Sequence, residues 1–145
     1  MIVMDKQLTH KLIERFPFIP SKNPLYFGNT NVPMSVDCDD GWFSLLWELC
    51  EHIETELKIH PEERVMFSVD QVKEKFAGLR FYASGGTDVI YELIAEAEKK
   101  SYTICEICGR MGKPMVRGGW YKTLCHEHSK EFGFIEIETV VKNNV

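Results

Sequence analysis

The stretch CEICGRMGKPMVRGGWYKTLCHEH, residues 105–128, contains three of the five cysteines and two of the five histidines of the 145-residue chain. Sixteen residues separate the pair Cys105 and Cys108 from the pair Cys125 and His128, and each pair has two residues between its members. Two such pairs at this separation are typical of zinc ligands, because a tight turn directs both members of a pair at one ion. The sequence therefore predicts one Zn²⁺ bound by these four side chains.

The same stretch predicts how the ligands are presented. Gly109 provides a permissive backbone after the first pair, and Gly118-Gly119 can turn a hairpin in the gap. A last pair on the first turn of a helix would complete a treble-clef-like zinc finger, whereas a last pair on a strand would make a zinc ribbon. His126, next to Cys125, is the rival to His128 as fourth ligand. Four protein ligands leave no open coordination position, so we expect a structural zinc that supplies folding energy to the finger.

Length and composition indicate a globular protein of the cytosol. A chain of 145 residues with 44% hydrophobic residues can bury one core. The first residues lack the apolar run of a signal peptide, and no segment reaches the length of a membrane span. Thiols stay reduced in the cytosol, so the paired cysteines indicate metal binding rather than disulfides.

Hydrophobic periodicity predicts three helices outside the finger. Apolar residues recur at helical spacing over residues 5–16, over a long segment that Asp39 or Asp40 caps and Pro61 ends, and over residues 87–100. Cys50, beside the apolar stripe of the long helix, is expected to be a buried core thiol.

Alternating apolar residues predict the strands. Val65, Phe67 and Val69 recur at every second position before a turn expected at Gly78, and Leu79 and Phe81 do so after it, which indicates an antiparallel hairpin. The alternation within residues 132–141 predicts a last strand. The expected fold class is α+β, with a small antiparallel sheet, two or three helices and the finger at one end. The expected divisions are an α+β body (1–101), the finger (102–130) and a C-terminal strand and tail (131–145).

The net charge of −5 is unevenly distributed. Residues 37–64 carry nine acidic against two basic residues, whereas residues 102–128 carry four basic against two acidic ones. A strong nucleic-acid binder would be expected to have a larger clustered basic face. Weaker nucleic-acid binding through the finger remains an alternative hypothesis. Its candidate residues are Arg110, Lys113, Arg117, Trp120 and Lys122, although Trp120 and Tyr121 are also candidates for the core of the finger.

Two further groups of residues could form a site. The Gly-Gly turn between a strand and a helix could hold a phosphate at the helix N-terminus. Its candidate residues are Arg80, Tyr82, Ser84, Gly85, Gly86 and Thr87; alternatively, this is an ordinary turn in which Thr87 or Asp88 caps the helix. The second group would be a metal-dependent hydrolase site, and it consists of Asp37, Asp39, Asp40 and His126.

Four segments carry a resemblance to known proteins. They are CDDGW, QVKEKFAGLRFYASGG, ICEICG and GGWYKTLCHEH, in this order within residues 37–130. Together they resemble a group of small proteins encoded by bacteriophages and prophages. The resemblance implies a phage or prophage origin and residence in the cytosol of a bacterial host.

These observations lead to three functional hypotheses. The preferred one is a non-enzymatic accessory protein with a structural zinc, which binds a host protein or a small anionic ligand such as a nucleotide, with a candidate role in counter-defence. The first alternative is a nucleic-acid-binding zinc-finger protein. The second is a metal-dependent hydrolase or nuclease. The sequence does not indicate an oligomeric state.

Overall fold

A computed structural model describes residues 2–26 and 31–137 as an α+β fold. The elements in chain order are α1 (Lys6–Arg15), β1 (Val36–Asp37), a short 3₁₀ helix (Asp40–Trp42), α2 (Phe43–Ile59), α3 (Pro61–Met66), β2 (Ser68–Lys75), β3 (Gly78–Ser84), α4 (Asp88–Ser101), β4 (Lys113–Arg117), β5 (Trp120–Leu124), α5 (His126–Phe132) and β6 (Ile135–Glu136). No helix within these ranges is both long and apolar enough to cross a membrane.

The sheet of the body has the strand order β1-β2-β3. Strands β2 and β3 form the predicted antiparallel hairpin. Strand β1 pairs in parallel with β2, so the expectation of a purely antiparallel sheet is wrong. The parallel pairing is possible because α2 and α3 connect the two strands, and parallel neighbours need such a long crossover.

Two details of the predicted hairpin are also wrong. Val65 lies in α3 and is 87% exposed, so the strand begins after it. The turn lies at Phe76-Ala77, because Lys75 pairs with Gly78 across a two-residue loop. Both loop residues have positive φ, at 51° and 74°. Gly78 instead allows a close approach, since a Cβ there would overlap the Tyr102 hydroxyl.

The predicted helices are confirmed, and α1, α2 and α4 contribute to one core with the sheet. Pro61 ends α2 but also begins α3, where its fixed φ suits the first helical turn. Cys50 is fully buried, as predicted. Other buried members of this core are Phe16, Trp42, Leu46, Ile53, Val69, Leu79 and Ile90.

The second sheet belongs to the finger and has the order β5-β4-β6. The predicted last strand is confirmed at Ile135–Glu136, where it pairs with β4 of the finger. The rest of that predicted strand, from residue 138 onward, lies outside the described residues. The small core of the finger contains Met115, Leu124 and Phe134. Trp120 is 70% exposed and Tyr121 is 39% exposed, so the idea that they form this core is wrong.

Candidate metal centre

Four side chains of the finger converge on one point. The Sγ atoms of Cys105, Cys108 and Cys125 and a ring nitrogen of His128 all lie within 4.8 Å of one another. The Sγ atoms of Cys108 and Cys125 are 3.8 Å apart, and His128 Nδ1 lies 3.7 Å from Cys105 Sγ. A tetrahedral zinc with Zn–S bonds of about 2.3 Å separates its sulfurs by about 3.8 Å. The cluster therefore has the size and the donor set that a metal ion requires.

The first pair of ligands lies on a tight turn. The Cys105 carbonyl accepts the N–H of Gly109 at 2.9 Å, and the Cys105 N–H donates to the Arg110 carbonyl at 2.7 Å. Gly109 has a φ of 79°, in the region that favours glycine. This turn holds both sulfurs on the same side of the backbone.

The second pair lies at the start of a helix, as predicted. Cys125 is the N-cap of α5, and its Sγ accepts the N–H of His128 at 3.4 Å. Burial raises the pKa of the Cys125 thiol, but this backbone N–H and the neighbouring thiols and imidazole outweigh burial and lower it to about 7. The thiolate, which is the form that binds metal, is therefore present in an amount comparable to the thiol near neutral pH.

The histidine that joins the three sulfurs in the cluster is His128 rather than His126. His128 directs Nδ1 at the sulfurs, while its Nε2 lies 3.9 Å from Glu131 Oε2. Carboxylates near the free nitrogen of a metal-binding histidine fix its orientation. His126 is exposed on the first turn of α5 and does not belong to the cluster.

The 3₁₀ helix of the body holds the cysteine turn through hydrogen bonds to its backbone carbonyls. The Gly41 N–H donates to the Glu106 carbonyl at 2.7 Å, and the Trp42 Nε1–H donates to the Ile104 carbonyl at 2.9 Å. A Cβ on Gly41 would overlap the carbonyl oxygens of Cys105 and Glu106. Gly41 is therefore needed for this close approach, a role that the sequence did not reveal.

A buried ionic network joins the finger to the body. Glu106 is 1% exposed, and its carboxylate accepts hydrogen bonds from Lys122 Nζ and the Asp39 N–H, each at 3.0 Å. Lys122 Nζ also lies 3.5 Å from Glu74 Oε1. Desolvation raises the pKa of Glu106, and the Lys122 charge offsets only part of that effect. Desolvation lowers the pKa of Lys122, but the two carboxylates outweigh it and raise that pKa.

A second contact between finger and body involves the β2–β3 turn. Thr123 is fully buried, and its hydroxyl donates to the Ala77 carbonyl at 2.7 Å. The Ala77 N–H donates to Glu74 Oε2 at 2.9 Å. All four resembling segments thus meet at this boundary, and no pattern in the sequence predicts these contacts.

Apart from Tyr82, the candidate phosphate-binding residues around the Gly-Gly turn have intramolecular partners or structural roles. The Arg80 guanidinium donates hydrogen bonds to the Leu79 carbonyl and the Tyr102 hydroxyl. The Ser84 hydroxyl donates to Asp70, and the Gly85 carbonyl accepts from the Tyr91 hydroxyl. The Thr87 hydroxyl is hydrogen-bonded to Glu56. Thr87 caps α4, so the alternative interpretation as a capped turn is confirmed. A Cβ on Gly86 would contact the Phe67 ring. Tyr82 is 45% exposed on the same strand as Arg80. Phosphate binding there stays a prediction.

The four basic residues proposed to contact nucleic acid have intramolecular partners. These partners are Glu127 for Arg110, Glu136 for Lys113, the Phe132 carbonyl for Arg117, and Glu74 and Glu106 for Lys122. Of the proposed set, Trp120 presents the largest exposed apolar surface. The arrangement therefore does not favour an open basic face, and nucleic-acid binding stays a prediction.

Asp37, Asp39 and Asp40 line three different cavities among the described residues. Asp39 accepts the N–H of Asp40 at the start of the 3₁₀ helix, and Asp40 accepts the N–H of Asp5. Among the described residues, the cavities lined by Asp37 and by Asp39 do not include His126. Asp39 caps the 3₁₀ helix, whereas the N-cap of α2 is Trp42 and has no side-chain capping bond, so the expectation that Asp39 or Asp40 caps the long helix itself is wrong.

Comparisons of the chain with family models, with curated proteins and with solved structures found no match. The resemblance to phage-encoded proteins therefore stays a prediction, and functional inference depends on the geometry of the site.

Proposed function

We propose that this protein is a non-enzymatic binding protein whose finger is held by one structural Zn²⁺. Cys105, Cys108, Cys125 and His128 Nδ1 are the ligands, and their convergence within 4.8 Å is the observation that carries the proposal. Three thiolates and one imidazole match the preference of zinc, and four protein ligands complete a tetrahedron. No coordination position is then left for water or a substrate.

The arrangement of the ligands supports a treble-clef-like finger rather than a zinc ribbon. The cysteine turn, the β4–β5 hairpin and α5 follow one another, and the last pair lies at the start of that helix. The small apolar core of the finger cannot supply much folding energy, so the metal would supply a large part of it.

The role of the finger would be to complete a binding surface of the body. The buried network of Glu106, Lys122 and Glu74 connects the two parts, and zinc would hold Glu106 in place through its neighbouring ligands. If the predicted phage origin holds, the partner or ligand is found in a bacterial host. The filled coordination sphere and the separation of His126 from the carboxylates favour binding over catalysis.

The two histidines of α5 provide a matched test. His128→Ala removes a ligand, whereas His126→Ala removes a neighbouring imidazole outside the cluster. We expect one zinc per chain in the wild type and in His126→Ala, and a zinc affinity at least about tenfold weaker in His128→Ala. Zinc content by plasma mass spectrometry and competition with a chromogenic chelator measure both. Equal zinc affinity in the two variants would contradict the ligand assignment.

A further inference from the structure

One of the three sulfurs in the candidate metal centre is open to solvent. The Cys108 side chain is exposed, whereas Cys105 and Cys125 are buried. The other two cysteines of the chain, Cys38 and Cys50, are fully buried in the core of the body, and burial raises the pKa of both thiols. A buried, protonated thiol reacts slowly with oxidants, because the thiolate is the nucleophile. Among the five cysteines, Cys108 is therefore the one that an oxidant in solution reaches first.

A cavity beside the cysteine turn gives access to this sulfur. Its volume is about 340 Å³, and Cys108 is the only one of the four candidate ligands that lines it. The charged residues of its wall are Asp40, Glu48 and Lys100, and Lys100 Nζ lies 3.7 Å from Glu48 Oε2. The one cation of the wall is thus already paired, so the cavity offers little attraction to an anionic reagent. A small neutral oxidant such as hydrogen peroxide suits it better.

A second sulfur lies next to the exposed one. Cys125 Sγ is 3.8 Å from Cys108 Sγ. A disulfide has an S–S bond of about 2.05 Å, so the two sulfurs must approach each other by less than about 2 Å. An oxidised Cys108 therefore has a resolving cysteine beside it, which is the arrangement typical of redox-sensing cysteines.

We propose that Cys108 is an oxidation site through which a peroxide releases the zinc and separates the finger from the body. The Cys108 thiolate attacks one oxygen of hydrogen peroxide, the O–O bond breaks, and a sulfenic acid and hydroxide form. The Cys125 thiolate then attacks the Cys108 sulfur, so that the S–S bond forms and the S–O bond breaks to release a second hydroxide. The two thiolates together lose two electrons, and the peroxide gains them. A zinc ion that has lost two thiolate ligands then leaves.

Loss of the zinc affects the boundary between finger and body because Glu106 lies in the cysteine turn. The Glu106 carboxylate accepts hydrogen bonds from Lys122 Nζ and the Asp39 N–H, and its carbonyl accepts the Gly41 N–H. Without the ion, the turn is no longer tied to α5, and these bonds lose their support. This inference rests on the proposed function, because the site must hold zinc before an oxidant can release it.

The test is hydrogen peroxide treatment of the zinc-loaded full chain, with zinc release followed by a chromogenic chelator. We expect the wild type to release its zinc, and a reducing agent with added zinc to restore the loaded form. Trypsin cleaves after Lys100, Arg110, Lys122 and Lys130, so a disulfide from Cys108 to Cys125 joins the peptides 101–110 and 123–130 in mass spectrometry. Complete retention of zinc in excess peroxide, or a disulfide that does not include Cys108, would overturn the proposal.

A substitution that keeps the number of metal ligands isolates the exposed thiolate. Cys108→His should still bind one zinc, since Cys125 and His128 already use the same spacing, and should release it to peroxide at least about tenfold more slowly than the wild type. Cys50→Ala is the matched control, because Cys50 is a thiol outside the cluster, and it should release zinc at the wild-type rate. Equal rates in Cys108→His and the wild type would overturn the proposal. The disulfide mapping is made on the wild type and does not depend on the folding of either variant.

Separation of the finger from the body is measured by hydrogen exchange on the oxidised wild type. The amides of Asp39 and Gly41 should exchange at least about tenfold faster after oxidation, because both donate to Glu106, whereas amides in the middle of α2 should keep their rates. Unchanged exchange at Gly41 would overturn the proposed separation. A zinc-loaded wild type that keeps its zinc in peroxide refutes this inference alone, whereas a folded wild type without zinc refutes the proposed function.

Discussion

Gly41→Ala tests whether the finger and the body form one unit. The added methyl group would overlap the carbonyl oxygens of Cys105 and Glu106, which are backbone atoms and cannot rotate away. The cysteine turn must therefore move outward, and this movement breaks or lengthens three hydrogen bonds. They are the bonds from the Gly41 N–H to Glu106 O, from the Asp39 N–H to Glu106 Oε2, and from the Trp42 indole to Ile104 O.

The expected loss of stability follows from these three bonds. Two are between neutral groups, at about 1 kcal/mol each, and the third is to a carboxylate, at about 1.5–3 kcal/mol. Water can replace part of what is lost, because the 3₁₀ helix lies near the surface. We therefore expect Gly41→Ala to lower the free energy of unfolding by about 2–4 kcal/mol.

Urea unfolding followed by tryptophan fluorescence measures this loss, and the rate of zinc removal by excess chelator reports on the finger separately. Gly118→Ala is the matched control. A Cβ on Gly118 would meet no atom within 4 Å, and its φ of 51° leaves only the backbone cost of about 1–2 kcal/mol. Zinc should leave Gly41→Ala faster than the wild type and leave Gly118→Ala at the wild-type rate. Wild-type stability and zinc release in Gly41→Ala would refute the described packing.

Two further predictions concern charged residues. Lys122→Met leaves the carboxylate of Glu106 buried without its cation, so the free energy of unfolding should fall by about 3–5 kcal/mol. Combining it with Glu106→Gln should recover part of the loss in urea unfolding, and a double variant no more stable than the single one would contradict this pairing. The hydrogen bond from Arg15 lowers the pKa of Glu54, so this pair stabilises the fold above the ordinary glutamate pKa and loses that effect as the pH falls through the lower, folded value. The stability difference between wild type and Arg15→Gln should therefore shrink towards acidic pH, and a difference that grows on acidification would contradict it.

The cluster of candidate metal ligands was predictable because the sequence pattern behind it is local. Cys105 and Cys108 lie on one turn, Cys125 and His128 lie on the first turn of one helix, and each arrangement follows from a spacing of three residues. The preference for His128 over His126 follows from the same geometry, since neighbouring residues on a helix point in different directions.

The turn of the body hairpin was not predictable from its residues. Two-residue hairpin loops with two positive φ angles favour Asn-Gly or Gly-Gly, and Phe76-Ala77 carries neither signal. The turn was predicted at Gly78, but this glycine has another role, because its missing side chain makes room for Tyr102. A glycine in the sequence does not reveal whether it is needed for a turn or for a close contact.

The contacts between finger and body could not be predicted from the sequence for a different reason. Glu106 contacts Asp39 across 67 residues, and Thr123 contacts Ala77 across 46 residues. No periodicity in the sequence reports contacts at such separations. The parallel strand β1 has only two residues, too few for an alternating pattern to be recognised.

X-ray absorption at the zinc edge of the purified protein tests the central claim most directly, because it reports the ligands of the ion itself. A structural site made by Cys105, Cys108, Cys125 and His128 predicts three sulfur neighbours at about 2.3 Å and one nitrogen neighbour at about 2.0–2.1 Å. Two sulfur neighbours with added oxygen neighbours would reveal an open position and contradict the structural role. A folded protein that contains no zinc would contradict the account as a whole.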